Sequence, residues 1–115
     1  MRYTYHLKSM PYANCHVEFI LDGYGVPHYV ALVSYSTTIL HLERHGNMFV
    51  TAVNYPVNCS ATTARHVNRF TTELYGRNMY HEFKNIAVEE EYPELLDSRV
   101  VYDFWVDYYT HGKRL

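Results

Sequence analysis

Eight histidines and two cysteines, Cys15 and Cys59, are the residues of this 115-residue chain best suited to holding a metal ion, since neutral imidazole and thiolate are the common zinc donors. Their spacing does not specify a site. Cys15 and His16 are adjacent and point to opposite faces of a strand, His41 and His45 lie at a strand end, and Cys59 is seven residues from His66. No C-x-x-C pair is present. The expectation is therefore no metal and no cofactor, with both thiols buried as small hydrophobes; the alternative is a zinc-stabilised protein that assembles Cys15, Cys59 and His66 across the fold. For covalent catalysis the sequence offers serines without a nucleophile elbow. Glu89-Glu90-Glu91, consecutive and close to Pro93, reads as a solvated loop and not as an acid pair whose pKa values a cleft drives apart. The residues point away from an enzyme.

Binding chemistry is better represented. The formal charge of −2 hides an uneven layout. Residues 89–107 carry seven acids (Glu89, Glu90, Glu91, Glu94, Asp97, Asp103 and Asp107) against Arg99 alone, and the overlapping segment Tyr92 to Tyr109 interleaves Tyr92, Tyr102, Phe104, Trp105, Tyr108 and Tyr109 with them. Aromatic side chains supply large contact area at low rotamer cost and dominate interface hot spots. Negative charge beside such rings can copy the phosphates and stacked bases of a nucleic acid, which makes a basic groove on a protein the natural target. The expected partner surface is Glu89, Glu90, Glu91, Tyr92, Glu94, Asp97, Asp103, Trp105, Asp107 and Tyr109. A second explanation stands level with it: an acidic edge that keeps a β-sheet from pairing with its neighbours. Direct nucleic-acid binding is not expected at an isoelectric point near 6.4; a DNA-contacting helix face through Arg65 and Arg69 remains a third reading.

These residues need elements to position them. With 48% hydrophobic and 17% aromatic residues the chain has too much buriable surface to stay disordered. At this length one domain is expected. No apolar run is long enough to span a membrane and the first residues contain no apolar signal core, so the expectation is a soluble protein of the cytoplasm. Cys15–Leu21 alternates and ends at Asp22-Gly23-Tyr24-Gly25, as a strand ending in a turn does. His28 to Glu43 is β-branched and reads as one long strand or two joined at Ser36, and Met48 to Asn54 resumes the alternation after His45-Gly46-Asn47. Ser60 is placed to cap a helix over Ala61–Tyr75 that ends at Gly76, with Val67, Phe70 and Leu74 on its buried stripe. Met79, Phe83, Ile86 and Ala87 keep helical spacing for a shorter second helix. Val100 to Tyr109 is assigned as a strand burying Val100, Tyr102, Phe104, Val106 and Tyr108 and exposing Trp105 and Tyr109. The resulting expectation is a single α+β domain over residues 1–115: an antiparallel sheet of three to four strands, one main helix packed on it and a shorter second helix.

Within Ser34 to Gly76, the hairpin beginning Tyr35-Ser36-Thr37 and the helix opening Ser60-Ala61-Thr62-Thr63-Ala64-Arg65-His66, with Phe70 four residues on, resemble small proteins of phages and other mobile elements of Firmicutes that carry a domain of unknown function. The likeness covers about 40 residues and carries no catalytic residue. It implies a mobile-element origin, and inhibitors of host defence, anti-CRISPR proteins among them, are common at this size and source. Joined to the acidic, Tyr-rich segment, it gives the expectation of a stoichiometric inhibitor acting in the host bacterial cytoplasm on a type II (Cas9-type) CRISPR nuclease and blocking its DNA recognition.

Overall fold

The computed structural model describes all 115 residues. Six strands form one antiparallel sheet in chain order: β1 (Arg2–His6), β2 (Cys15–Leu21), β3 (Pro27–Ser34), β4 (Thr37–His45), β5 (Met48–Val53) and the two-residue β6 (Leu96–Asp97). Three helices accompany it, α1 (Ala61–Tyr75), the single turn α2 (Tyr80–Phe83) and α3 (Ser98–His111). The α+β class and the antiparallel sheet agree with the sequence reading, but the sheet has six strands and not three to four. β1 escapes that reading because its five residues, RYTYH, offer only Tyr3 and Tyr5 as an apolar face. The run from His28 to Glu43 is two strands, β3 and β4, joined at Tyr35-Ser36, with Tyr35 at φ 56.

Alternation divides the sheet into two unlike faces. Val17, Phe19, Val30, Leu32, Leu40, Leu42, Phe49 and Val53 point one way, are fully buried, and join a core of 23 residues with the inner faces of the helices. The other face carries no helix and alternates out of phase with the core. On the covered side α1 matches expectation in its bounds, its Ser60 cap accepting from the Thr63 amide, and Gly76 at φ 76. Val67, Phe70 and Leu74 are buried, and Phe70 meets Phe104 edge to face with centroids 5.8 Å apart. The second helix shrinks to α2, with Met79 and Phe83 in the core and Ala87 exposed.

Residues 100–109 overturn the strand assignment, for α3 is a helix of 14 residues. Its buried positions are Val101, Phe104, Trp105 and Tyr108, an i, i+3, i+4, i+7 stripe, while Val100, Tyr102 and Val106 face outward. Asp97 caps its N-terminus by accepting from the Arg99 amide. The edge of β5 that such a strand would have needed is already taken. Residues 89–92 lie along it, with the Val53 amide donating to the Glu90 carbonyl, the Glu89 amide to Val53 and the Tyr92 amide to Thr51. At the opposite edge the C-terminal tail pairs with β1: His6 donates to the Lys113 carbonyl, Leu115 donates to Thr4, and Tyr5 bridges Arg114. Both edges of the sheet are thus closed by short segments rich in charge.

Candidate functional site

The expected partner surface is divided by the fold into three parts. Glu89, Glu90 and Glu91 belong to the edge segment on β5, where Ala52 bridges Glu91 and Glu89 adopts φ 70. Tyr92 is half-buried, its ring 5.0 Å from that of Phe83, while Glu94 stands 3.8 Å from Arg77 and Asp97 serves as the α3 cap. Asp103, Trp105, Asp107 and Tyr109 lie on α3. Of these Trp105 is the correction: placed at an exposed position by the strand assignment, it is only 6% exposed, its ring 5.0 Å from both Tyr3 and Phe19. It is a core residue.

α3 nevertheless presents a coherent outer surface. At about 100° per residue, Tyr102 and Tyr109 share one flank, Val106 follows, and Asp103 and Asp107 occupy the other flank. Of the twelve large hydrophobic residues that stay exposed, four (Val100, Tyr102, Val106 and Tyr109) come from this one helix, and Tyr109 is 64% exposed. That concentration is unlike singly scattered surface hydrophobes. On the acidic flank Asp103, Asp107 and Glu73 line a groove of about 310 Å³ between α1 and α3. Asp107 pairs with Lys8, whereas Asp103 has no cation within ion-pair distance. Beyond the N-terminus of α3 the surface continues into a groove of about 500 Å³ lined by Tyr102, Arg99, Arg44 and Asn47. Arg44 there is held by Asp22 at 2.9 Å, and that contact with the Tyr24 and Val26 amides keeps the Asp22 carboxyl down at about 2.

Glu73 fastens this region together. One carboxylate oxygen accepts from the Tyr108 hydroxyl and the other from the amide and hydroxyl of Ser9, while the Lys8 amide donates to the Tyr108 oxygen. Burial, followed by the charge of Glu73, pushes the Tyr108 phenol upward, so it remains a donor. Three segments distant in sequence are joined through these two side chains. The network was not read from the sequence, because Glu73 falls on the same helical stripe as Arg65 and Arg69, which are exposed as expected.

The turn between β3 and β4 and the first half of α1 meet at one end of the sheet. Ser34 Oγ and His66 Nδ1 are 2.8 Å apart, and the Tyr35 ring centroid is 6.4 Å from that of His66. Burial, then the charge of Arg65, holds His66 below its ordinary value, which favours the neutral ring, and that ring shares one hydrogen bond with the Ser34 hydroxyl. Ser34 and His66 are only 3% and 2% exposed, so the hydroxyl and the ring hold one another within the packed end of the sheet. Cys15 is also buried, its thiol pushed up to about 11 by burial and by Glu73, but Cys59 is exposed, which corrects the expectation of two buried thiols. Cys15, Cys59 and His66 are not gathered, and nowhere do three or more His, Cys, Asp or Glu side chains form a group that could hold a metal. No helix is long and apolar enough to cross a membrane. Comparison of the chain with protein-family models, curated proteins and solved structures returned no match.

Proposed function

We propose that the protein acts by stoichiometric binding, and that the outer face of α3 is the surface with which it binds. The observation that carries this reading is the concentration of exposed Tyr102, Val106 and Tyr109 on one helix beside the outward carboxylates Asp103 and Asp107. Aromatic area supplies anchors and the carboxylates supply steering, so the fitting partner is a protein surface that is itself basic. The resemblance of residues 34–76 to mobile-element proteins supplies the partner class: a type II CRISPR nuclease whose DNA-reading groove is blocked, in the manner of an anti-CRISPR inhibitor. Glu89, Glu90 and Glu91 take a different part. Their position along β5 favours the edge-guarding explanation for that half of the acidic run.

The test is a DNA-cleavage assay with a purified Cas9-type nuclease and the purified protein, paired with binding kinetics at low and high salt. Asp103→Asn with Asp107→Asn is expected to slow association by about tenfold and to flatten its salt dependence, whereas Tyr102→Ala with Tyr109→Ala is expected to accelerate dissociation. Full inhibition by both variants would remove α3 from the interface, and uninhibited cleavage with the parent protein would remove this partner.

A further inference from the structure

Two of the three lysines of the chain and two of its eight histidines meet where the C-terminal tail folds back on β1. His6, Lys8, Pro11, His111 and Lys113 line a cavity of about 230 Å³ there, with no acid among them. Backbone bonds fix each of the contributing segments: the His6 amide donates to the Lys113 carbonyl, the Lys8 amide to the Tyr108 hydroxyl and the Gly112 amide to the Tyr108 carbonyl. In the ladder His6 stands opposite Lys113 on one side, as the Tyr5–Arg114 bridge requires, and opposite His16 on the other. Like charges set directly opposite one another destabilise a sheet. The row is already felt at His16, which burial holds below its ordinary value against the pull of Glu18, with His6 adding to the lowering. In a chain whose formal charge is −2, such a gathering of nitrogen donors calls for a counter-ion.

We propose that this cavity binds a phosphate group, free or carried by a small molecule. A phosphate presents several strong acceptor oxygens at a charge of about −2, which suits N–H donors that converge from β1, α3 and the tail. The volume falls below the roughly 300–1,000 Å³ of pockets that enclose a drug-sized ligand, so one anionic group fits and the rest of a phosphate monoester stays outside. Asp107 on α3 pairs with Lys8, so Lys8 is shared between that carboxylate and the anion. Lys113 supplies the free cation, with no carboxylate within ion-pair distance. Arg114 is turned onto the Tyr3 ring, 4.7 Å from its centroid, and stays out of the cavity. His111 lies in the last turn of α3, where the helix dipole favours its charged form. Protonation of His6 and His111 adds to the charge of Lys113, and anion binding therefore strengthens as the pH falls through the histidine range.

The experiment is calorimetric titration of the purified chain, at constant ionic strength, with inorganic phosphate and separately with ribose 5-phosphate. Binding is expected with a Kd on the order of 1 mM or below; equal affinities assign the site to phosphate itself, and tighter binding of the ester assigns it to a phosphorylated small molecule. His6→Gln and Lys113→Gln are each expected to weaken binding about fivefold or more, and Lys84→Gln, which removes the one lysine outside the cavity, to leave it unchanged. Unchanged circular dichroism shows that every variant is folded. Sulfate, which stays a dianion throughout, serves for the pH dependence: its affinity is expected to rise several-fold between about pH 7.5 and about pH 5.5 in the parent and to stay flat in the chain carrying both His6→Gln and His111→Gln. No binding of either phosphate at about 10 mM, equal weakening by Lys84→Gln, or a sulfate affinity indifferent to pH would overturn the inference and leave these cations to Asp107 and the negative pole of α3.

Discussion

His66 shows how a single buried side chain makes stability depend on pH. In the folded chain burial and Arg65 hold its pKa below 6.5, so as the pH falls through about 6.5 the unfolded chain takes up a proton here before the folded chain does. Stability present at neutral pH is therefore lost with acidification. His16 is lowered too, by burial first and with His6 contributing, and it adds a slope of the same sign. His66→Asn keeps an acceptor for Ser34 but removes one titration. The difference in Tm between about pH 7.5 and about pH 5.5 should accordingly be smaller in the variant than in the parent, and an unchanged difference would assign the acid sensitivity elsewhere. Tyr35 offers a second test at this scale. Its φ of 56 is a conformation that costs an L-residue roughly 1–2 kcal/mol, whereas glycine enters it freely. Tyr35→Gly is expected to stabilise the hairpin by up to about 1 kcal/mol after the added freedom of the unfolded chain is counted, read as a raised Tm. A lowered Tm would mean that the contact between the Tyr35 and His66 rings outweighs the strain.

At the scale of elements, Glu73 tests what holds α1, α3 and the loop after β1 together. Glu73→Gln preserves shape but removes the charge that strengthens the bond from the part-buried Tyr108 hydroxyl and puts an NH₂ group against the exposed Ser9 amide. The expected cost is about 1–3 kcal/mol in denaturant unfolding, and a variant as stable as the parent would show these bonds to be dispensable. The same element explains where the sequence was legible. α1 announced itself because every local signal agreed: the Ser60 cap, the Val67, Phe70 and Leu74 stripe, and the glycine at its end. α3 did not, because VVYDFWVDYY is apolar at so many positions that both periods find a face in it. The deciding signals were Asp97 placed to cap the helix and the spacing of Val101, Phe104, Trp105 and Tyr108. Misjudging the period inverted Trp105 from core to surface while leaving Asp103, Asp107 and Tyr109 outside under either assignment. That is why part of the candidate surface survives the correction, and why the Glu73 network, made across three distant segments, was not legible at all.

For the molecule as a whole the sheet depends on its closed edges, and one glycine controls one of them. Gly112 ends α3 at φ −74 and ψ 156, a conformation open to any residue, so its requirement is steric and not conformational. A Cβ built there would lie 2.5 Å from the Tyr108 carbonyl oxygen and 2.8 Å from the Tyr5 ring. Neither neighbour can yield cheaply: the carbonyl is helix backbone accepting from the Gly112 amide itself, and Tyr5 is 1% exposed within a cluster of aromatic rings. Gly112→Ala must move the chain where it turns from α3 toward β1, and it is expected to cost about 1–3 kcal/mol, as other insertions of one methyl group into packed sites do. The tail is the part free to move. Lys113 to Leu115 would then leave β1, exposing the amide of His6 and the carbonyl of Thr4 to solvent. Hydrogen exchange checks this directly, since the His6 amide should lose protection ahead of the amides of the central strands. An unpaired edge strand is also a template for other chains, so the variant should form larger species on concentration than the parent does. If His6 retains its protection while Tm falls, the strain has been absorbed in the α3 core and the tail is held more firmly than its three residues of pairing suggest.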